Sequence, residues 1–401
     1  RHSGLTSPGS PSMNSSRKAW RKGPAILAGL VASTLVVTQL PHRWCARHHE
    51  DLADSRGVYA EALARQVATW AAKPLSEDDF FTGSVLFDGE WLFGTYFMAA
   101  MGFGQMAEQH EGAEKEQYLD HMAHCLEKLL SDQVRAFDSA SWRANPLEDL
   151  DDPDQHHAAY LGYLNLALSL YRTMRLESPY ADLNDRITAS LVMRLEQSEL
   201  LLLQTYPHQV YPVDNSAVIA SIGLHQRATG MDASGILKRW EANFRSRYLD
   251  ATSGLMIQAV DPRSGERIDS PRGSGTSLGL YFLAYSHPDL SRDLYTALHR
   301  ELKGQFLGFG GVREYPEGES GTGDIDSGPI MFGFSMSATG FSLAGARMYG
   351  DEETYRALWS TAWLCGAPQR KKDTYQFITG GPLGNAILFA VCTAPLQGEA
   401  P

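Results

Sequence analysis

The sequence has few cysteines and too few basic residues to balance its acidic ones. Its four cysteines, Cys45, Cys125, Cys365 and Cys392, are widely spaced, which excludes the paired ligands of a zinc site. Buried thiols are the simpler interpretation, and a Cys365–Cys392 disulfide is the alternative outside the cytoplasm. Lysine and arginine total 35 against 47 aspartates and glutamates, a net charge of −12. This balance argues against nucleic acid as the main partner.

Several catalytic and cofactor motifs are also missing from the sequence. No HExxH or P-loop pattern occurs, so the common zinc-protease and nucleotide-binding signatures are lacking. The stretch "DIDSG" has no closing glutamate of a calcium loop, and the glycines of "GFGGVREYPEG" follow no predicted strand. The sequence therefore predicts neither a cofactor nor a metal ion.

The N-terminal segment is typical of protein targeting. Residues 1–12 are interpreted as an artificial extension, because Met13 is typical of a natural start. The basic stretch "SSRKAWRKG" is followed by the uncharged run "PAILAGLVASTLVVTQL" (24–40), which is the pattern of a signal sequence. Because no clear cleavage site follows, residues 13–45 are either an uncleaved signal anchor or a removed signal peptide. We expect an extracytoplasmic protein, membrane-anchored or secreted, in the periplasm if the cell is Gram-negative.

The remainder of the chain reads as one helix after another, with little strand-like alternation. Odd-numbered helices are amphipathic, whereas even-numbered ones, such as "AAYLGYLNLALSLY", are nearly uncharged and therefore buried. Six buried helices alternating with six half-exposed ones predict an all-α (α/α)6 barrel, a double ring of twelve helices within a single domain over 54–401. Periodicity and cap signals place the helices at 56–73, 89–108, 113–136, 156–174, 179–197, 213–228, 234–249, 274–286, 288–303, 328–349, 352–362 and 382–393.

Acidic and aromatic residues recur in the loops that precede the even-numbered helices. Parallel inner helices begin at one end of such a ring, so these loops are expected to converge on a carboxylate-rich pocket. Carboxylates also cap helix N-termini, so a structural role is the alternative for each acid. The loops are "FDGE" (87–90), "DDPDQHH" (151–157), "YPHQVYPVD" (206–214), "DSPRGSG" (269–275), "GTGDIDSGP" (321–329) and "FITGGPLG" (377–384).

These loops supply the candidate site residues. We expect Asp214 and Asp326 to form a general acid–base pair, with Asp88 as a further catalytic candidate, because crowded carboxylates raise at least one pKa toward neutrality. Aromatic rings beside carboxylates suit sugar binding, and a stiff or glycine-rich loop suits close approach to a ligand. The residues expected to bind substrate are Glu90, Trp91, His157, Tyr163, Tyr206, Tyr211, Asn215, Glu314, Tyr315 and Asp324.

Four stretches follow one another in a distinctive order: "AAYLGYLNLALSLYRTM", "YPVDNSAVIASIGLH", "YLDATSGLMIQAVDPRSGE" and "VREYPEGESGTGDIDSG…AGARMYGD". Their order and spacing resemble the linalool dehydratase-isomerase family over roughly residues 155–350. The resemblance implies an (α/α)6 barrel. In that family two cysteines and a histidine belong to the active site, and the matching positions here hold Thr205, Asp214 and Tyr163. Thiol chemistry is therefore not expected, while counterparts of the family's acids remain at Asp88, Glu314, Asp324 and Asp326.

Three functions stay open from the sequence. The leading hypothesis is an enzyme that acts on a carbohydrate by acid–base hydrolysis, or by a related elimination or transfer. The second is a dehydratase or isomerase of a small alcohol, as the resemblance implies, and a pocket lined by Met98, Phe103, Met331 and Phe332 would favour it. The third is a barrel without catalytic activity that binds a glycan or a partner protein. The expected partners are accordingly a small-molecule or glycan substrate and, through the N-terminal segment, a membrane.

Overall fold

The computed structural model of the chain describes residue 4 and residues 16–397. Apart from Gly4, the interpreted extension 1–12 and the start at Met13 lie outside the described residues. Residues 398–401, at the end of the expected barrel domain, also lie outside them.

Helices make up most of the described chain. In chain order they are α1 (Ser16–Cys45), α2 (His49–Ala53), α3 (Val58–Ala71), α4 (Val85–Gln109), α5 (Gly112–Leu129), α6 (Asp132–Trp142), α7 (Ala158–Met174), α8 (Ala181–Gln197), α9 (Pro212–Thr229), α10 (Ser234–Arg247), α11 (Gly273–Leu283), α12 (Pro288–Glu301), α13 (Met336–Met348), α14 (Glu352–Gly366) and α15 (Gly381–Cys392). Single 3-10 turns occupy Glu77–Asp79 and Ile378–Gly380.

Six of these helices form a closed inner ring. Around the ring α4 packs against α7, then α7 against α9, α9 against α11, α11 against α13, α13 against α15, and α15 back against α4. The helices α3, α5, α6, α8, α10, α12 and α14 pack on the outside of this ring. The architecture is the predicted (α/α)6 barrel, with the uncharged helices inside and the amphipathic ones outside.

Small residues let neighbouring helices of this barrel approach closely. A Cβ atom at Gly162 of α7 would lie 2.7 Å from Val218 Cγ2 of α9, and one at Gly102 of α4 would lie 2.4 Å from Phe389 Cδ1 of α15. Neither position has room for a side chain, because protein interiors are close-packed. The glycines that made the even-numbered helices recognisable are thus contact points between ring neighbours.

A small antiparallel sheet replaces the first part of one predicted helix. Strands β1 (Lys303–Phe306), β2 (Phe309–Arg313), β3 (Ile330–Met331) and β4 (Phe334–Ser335) form a sheet in the order β1-β2-β4-β3. The helix predicted at 328–349 is wrong over its first eight positions, since α13 begins only at Met336. Strands β5 (Pro368–Lys371) and β6 (Thr374–Phe377) form a separate hairpin.

A second difference concerns the helix predicted at 113–136. The structure divides this region into α5 and α6, because the Ser131 hydroxyl accepts a hydrogen bond from the Val134 amide and begins a new helix. The other predicted helices lie within a few residues of their observed bounds.

Connections at the two ends of the ring differ in length. Each inner helix from α4 to α13 leads to its outer neighbour through a short turn, for example 110–111, 230–233 and 349–351. The return connections are long, and they meet at the end of the ring where the inner helices begin, which we call the mouth end. They span 72–84, 143–157, 198–211, 248–272, 302–335 and 367–380.

The helix α1 stands apart from the barrel over most of its length. Nearly every residue from 23 to 41 is exposed, and among the described residues this is the one helix region long and apolar enough to cross a membrane. Its last turn packs on the barrel, where Cys45 and Ala46 are buried and the Trp359 indole donates to the Arg47 carbonyl at 3.2 Å. Residues after the apolar run therefore belong to the folded domain.

The four cysteines are free thiols in the structure. Cys45, Cys125 and Cys392 are buried, and Cys365 is partly exposed. The simpler sequence interpretation, buried thiols, thus describes three of the four, and the Cys365–Cys392 alternative does not form here.

Two buried asparagines tie inner helices to the segments that precede them. The Asn215 side chain of α9 accepts from the Leu203 amide and donates to the Leu203 and Tyr211 carbonyls. Asn385 of α15 makes the equivalent three bonds, to the Phe377 amide and to the Phe377 and Gly381 carbonyls. Each side-chain amide therefore supplies hydrogen bonds to backbone N–H and C=O groups at the mouth end.

We expect Asn385→Ala to lower the free energy of unfolding by about 2–4 kcal/mol, because it leaves a buried amide and a buried carbonyl without partners. Chemical denaturation followed by circular dichroism measures this change. The transition should stay single, since the ring closes only when α15 packs between α13 and α4.

Thr296→Ala on the exposed face of α12 is the matched control, and it should change the free energy of unfolding by less than about 0.5 kcal/mol. Two separate transitions in either variant would contradict a single barrel domain over 54–401.

Candidate functional site

A cavity of about 470 Å³ opens at the mouth end of the inner ring. Its size falls within the range of small-molecule sites, roughly 300–1,000 Å³. Four carboxylates line it, Glu90, Asp214, Asp324 and Asp326, and they come from three different segments. Most of its wall is apolar or aromatic, from Leu86, Phe87, Phe93, Phe97, Met98, Leu278, Phe282, Phe341, Leu383 and Ile387.

Asp214 lies in the first turn of α9 and is held by two hydroxyl groups. The Tyr163 hydroxyl donates to Oδ1 at 2.6 Å, and the Thr205 hydroxyl donates to Oδ2 at 2.6 Å. Burial raises the pKa of Asp214, while the two hydrogen bonds oppose this by stabilising the ionised form. Both carboxylate oxygens are thus fixed in orientation.

Glu90 lies in the first two turns of α4 and faces the same cavity. Its Oε2 accepts a hydrogen bond from the Tyr206 hydroxyl at 2.8 Å. Burial, followed by the charge of Asp326, raises the pKa of Glu90 to about 8, against a lowering by the Tyr206 hydrogen bond. Glu90 therefore carries a proton at neutral pH.

The glycine-rich loop "GTGDIDSGP" gives its two aspartates different environments. Asp324 is paired with the Arg272 guanidinium, and its Oδ1 accepts from the amides of Asp326 and Ser327, each at 3.1 Å. Among the described residues, none donates a hydrogen bond to the Asp326 carboxylate. The loop thus uses Asp324 to fix its own fold and presents Asp326 to the cavity.

Asp326 is accessible to solvent, yet the protein that surrounds the cavity desolvates it. Its accessible surface therefore faces the cavity rather than bulk water. This burial, with the charges of Asp324 and Asp214, raises the pKa of Asp326 to about 7. The charge of Asp326 is also one of the causes that raise the pKa of Glu90, so both carboxylates have pKa values near or above neutrality.

Five of the expected site residues lie outside the cavity lining, and two of them are Asp88 and His157. The Asp88 carboxylate accepts from the Thr82 amide at 2.7 Å and so holds the turn before α4. The His157 ring is fully buried, with Nδ1 2.6 Å from Asp138 Oδ2 and the Trp142 ring 4.9 Å away. Each residue makes structural contacts in place of the expected contact with substrate.

Asn215, Glu314 and Tyr315 are the other three. Asn215 binds backbone groups as described above, and Glu314 is fully buried, where it accepts from the Ser274 hydroxyl at 2.6 Å and from the Ser274 amide. The Tyr315 hydroxyl accepts from the Gly323 amide at 3.2 Å and so supports the loop that carries Asp326. Trp91, Tyr163, Tyr206, Tyr211 and Asp324 do line the cavity.

Several lining residues were not among the sequence candidates. Gln258 is buried and lines the cavity, and in the described chain its Oε1 has no hydrogen-bond partner. It comes from the irregular stretch "GLMIQAV", where no motif marks it. Of the apolar residues expected for an alcohol-binding pocket, Met98 lines the cavity, whereas Phe103 is buried in the core and Met331 and Phe332 are exposed.

In the part of the chain that the structure describes, no cluster of three or more histidine, cysteine or acidic side chains is arranged to hold a metal ion. What the site offers is acid–base chemistry. One carboxylate is oriented by two hydroxyls, and two others have pKa values raised to near or above neutrality. Apolar and aromatic side chains form most of the cavity wall.

A family model and solved structures of known proteins both match this chain. The sequence model of the linalool dehydratase/isomerase family matches residues 177–376, a range that includes Thr205, Asp214, Gln258 and the Asp326 loop. No curated protein sequence matches the chain significantly.

Among solved structures, the GH76A alpha-1,6-mannanase from Salegentibacter sp. HEL1_6 has a similar fold. At 12% sequence identity and a TM-score of 0.50, the match covers 84% of this chain and 97% of the mannanase. An inactive variant of that enzyme in complex with alpha-1,6-mannotriose matches at 12% identity and a TM-score of 0.50, over 83% of this chain and 98% of the variant. At this level of identity the likeness establishes the fold alone.

The family match confirms the resemblance read from the four stretches between residues 155 and 350. The chain is an (α/α)6-barrel protein that resembles the linalool dehydratase/isomerase family.

Proposed function

We propose that the protein is an enzyme that cleaves the carbon–oxygen bond of a small, largely apolar alcohol by acid–base chemistry, as a dehydratase or isomerase. The observation that carries this proposal is the composition of the cavity, in which four carboxylates lie beside phenylalanine, leucine and isoleucine side chains. The apolar part of the wall would contact the hydrocarbon of a substrate. The cavity thus favours the second of the sequence hypotheses over the first.

Asp214 is the proposed base. Its two oxygens are oriented by Tyr163 and Thr205, and hydrogen bonds from hydroxyls favour its ionised form over that of its neighbours. The Glu90 and Asp326 pair is the proposed acid, because burial and mutual repulsion leave a proton on it at neutral pH.

In the proposed dehydration the acid pair gives a proton to the substrate hydroxyl, and the carbon–oxygen bond breaks with its electron pair leaving on water. Asp214 removes a proton from the neighbouring carbon, and the electrons of that carbon–hydrogen bond form the new double bond. An isomerisation would return water to a different carbon. Either reaction needs only the side chains of the cavity.

The match to the linalool dehydratase/isomerase family supports this reaction class. The positions that the resemblance assigns to the family's cysteines hold Thr205 and Asp214, which are joined by a hydrogen bond. A carboxylate oriented by a neighbouring hydroxyl would here take the place of thiol chemistry.

Glycoside hydrolysis is the second candidate, favoured by one specific observation. Trp91 lines the cavity beside the acids, where an indole can stack on a sugar face. Asp214 and Asp326 would then be the pair of carboxylates that such hydrolysis requires. The two candidates differ in substrate, so both are tested with the same variants.

We further infer that residues 24–40 hold the protein at a membrane, with the barrel outside the cytoplasm. The apolar part of α1 is exposed along nearly its whole length, whereas Cys45 and Ala46, a few residues after it, are buried in the barrel. Cleavage at that point would remove residues that belong to the fold, which favours an anchor that stays attached.

Asp214→Asn and Asp326→Asn should each lower kcat by about 10²–10⁴-fold, because each removes one proton-transfer group. The assay follows loss of water from linalool and related alcohols by gas chromatography, beside hydrolysis of alpha-1,6-mannotriose. Helical circular dichroism should be unchanged.

Asp151→Asn is the matched control, since Asp151 is an exposed acid in another mouth-end connection and does not line the cavity. Turnover of the mannotriose alone would favour the glycosidase. Binding without turnover of either substrate, with only affinity changed in the variants, would indicate a barrel without catalytic activity.

The Glu90→Gln variant tests the protonation of the acid pair. The folded-state pKa of Glu90, about 8, lies above its ordinary value of 4.5. Between these two values Glu90 ionises in the unfolded protein but stays protonated in the folded one. The stability that the protonated group contributes is therefore complete below pH 4.5 and is lost as pH rises toward 8. The amide cannot ionise. We therefore expect the melting temperature of the variant, minus that of the wild type, to increase from pH 4.5 to pH 9.

Glu199→Gln, on the exposed surface of the connection after α8, changes the same chemical group and is the control. A Glu90→Gln difference that stays constant across this pH range would show that Glu90 is ionised in the folded protein and would remove it from the acid pair.

Fractionation of cells that express the full chain tests the anchor. We expect the protein in the membrane pellet, resistant to extraction by carbonate and released by detergent. Deletion of 24–40 should move it to the soluble fraction. Full-length protein that is soluble in the cytoplasm would contradict the targeting proposal.

A further inference from the structure

We propose that the mouth end of the barrel rests on the surface of a lipid bilayer, so that the cavity opens toward lipid. The proposal rests on the membrane anchoring inferred above and goes beyond it, because an anchor alone does not determine which end of the barrel meets the membrane. Four observations carry it.

The most exposed aromatic side chains of the barrel all lie at the mouth end. Phe81 is 91% exposed in the connection 72–84, and Phe306 and Phe332 are 70% and 96% exposed in the connection 302–335. Large aliphatic residues add to this apolar surface. They are Val85, Ile268, Leu307, Met331, Leu364 and Ile378.

The opposite end of the barrel has no comparable surface among the described residues. Its exposed large apolar residues are Val58, Leu176, Met231 and Leu396, which are scattered and aliphatic. Single exposed apolar residues are ordinary, whereas a concentration at one end marks an interaction surface.

Two tight turns of the mouth-end sheet carry an unfavourable choice of residue. Strands β1 and β2 are joined by Leu307 and Gly308, and strands β3 and β4 by Phe332 and Gly333, all four with positive φ. Such two-residue turns favour asparagine or aspartate at the first position. A leucine and a phenylalanine at these positions strain the backbone and expose apolar side chains to water. We therefore infer that both side chains contact something outside the barrel.

The end of α1 lies directly against the first of these turns. A Cβ atom at Gly308 would be 2.4 Å from the His42 ring, and the rings of His42 and Phe309 are 6.3 Å apart. If 24–40 crosses the bilayer, His42 lies where the helix leaves it. The turn at Leu307 and Gly308 must then also lie at the bilayer surface.

The surface is therefore proposed to bind lipid rather than a second copy of the chain. Aromatic and leucine side chains are the residues that enter the interfacial region of a membrane. The chain's own apolar helix ends beside them. A largely apolar substrate dissolved in the bilayer would then reach the cavity without crossing water.

The test uses the full chain reconstituted in phosphatidylcholine vesicles. Single cysteines replace Phe81, Leu176 or Val31 in a Cys365→Ser background, since the other three native cysteines are buried, and each carries a nitrobenzoxadiazole label. Quenching by spin-labelled lipid is compared with quenching by aqueous dithionite. We expect the label at 81 to be quenched at least threefold more by the lipid than the label at 176, at the opposite end.

The label at 81 decides the docking and the label at 31 decides the anchor. Lipid quenching at 31 with aqueous quenching at 81 would overturn the docking and leave the anchor. Protection of 81 from both quenchers would show that protein covers the surface, and it too would overturn the docking. Lipid quenching at 81 without quenching at 31 would support the docking and refute the anchor, and the absence of lipid quenching at both positions would refute both.

A matched variant tests the two turns. Leu307→Asn combined with Phe332→Asn places the preferred residue in each turn, so the melting temperature should not fall. Lipid quenching of the label at 81 should decrease at least twofold because two membrane contacts are lost. Unchanged quenching would overturn the assignment of these turns to the bilayer surface.

Discussion

The fold depends on the need to bury six helices that have almost no polar face. An uncharged helix must be covered on every side, and in this chain each inner helix is covered by two ring neighbours and by outer helices. Contacts at Gly162 and Gly102 show how closely the ring neighbours approach. Once the ring closes with short turns at one end, all long connections meet at the other, and the cavity, its acids and the exposed aromatic residues lie there together.

The helices were predictable because their signals are local. The uncharged composition of "AAYLGYLNLALSLY" and the amphipathic pattern of its neighbours give burial directly, so inner and outer helices were distinguished from sequence. The error at 328–335 has a physical cause. "IMFGF" is apolar enough for a buried helix, but Gly328 and Gly333 adopt positive φ and β4 pairs with β2, a contact distant in sequence. The separation of α6 depends on the Ser131 cap, a signal that the longer apolar stripe obscured.

The site was predictable to the level of loops and not to the level of side chains. Successive residues of a helix point about 100° apart, so Asp88 and Glu90 face different surroundings, as do Asp214 and Asn215. One of each pair reaches the cavity and the other binds backbone. Composition places both in the right turn, and only the orientation of the helix selects between them. Gln258 could not be found, because its stretch carries no motif and enters the cavity through tertiary packing.

The acidity of the site and the class of substrate follow from the same walls. The pKa values of Glu90 and Asp326 are raised to near or above neutrality because the protein around the cavity desolvates both carboxylates. A cleft lined with the hydrogen-bond donors that a long glycan needs would solvate both carboxylates and favour their ionised forms. In the proposed function, the apolar residues of the same cavity are the ones that would contact the hydrocarbon of the substrate. A mouth covered by lipid would limit the entry of water from the remaining side. Acid strength, substrate polarity and the orientation of the barrel at a membrane thus form one consistent physical arrangement.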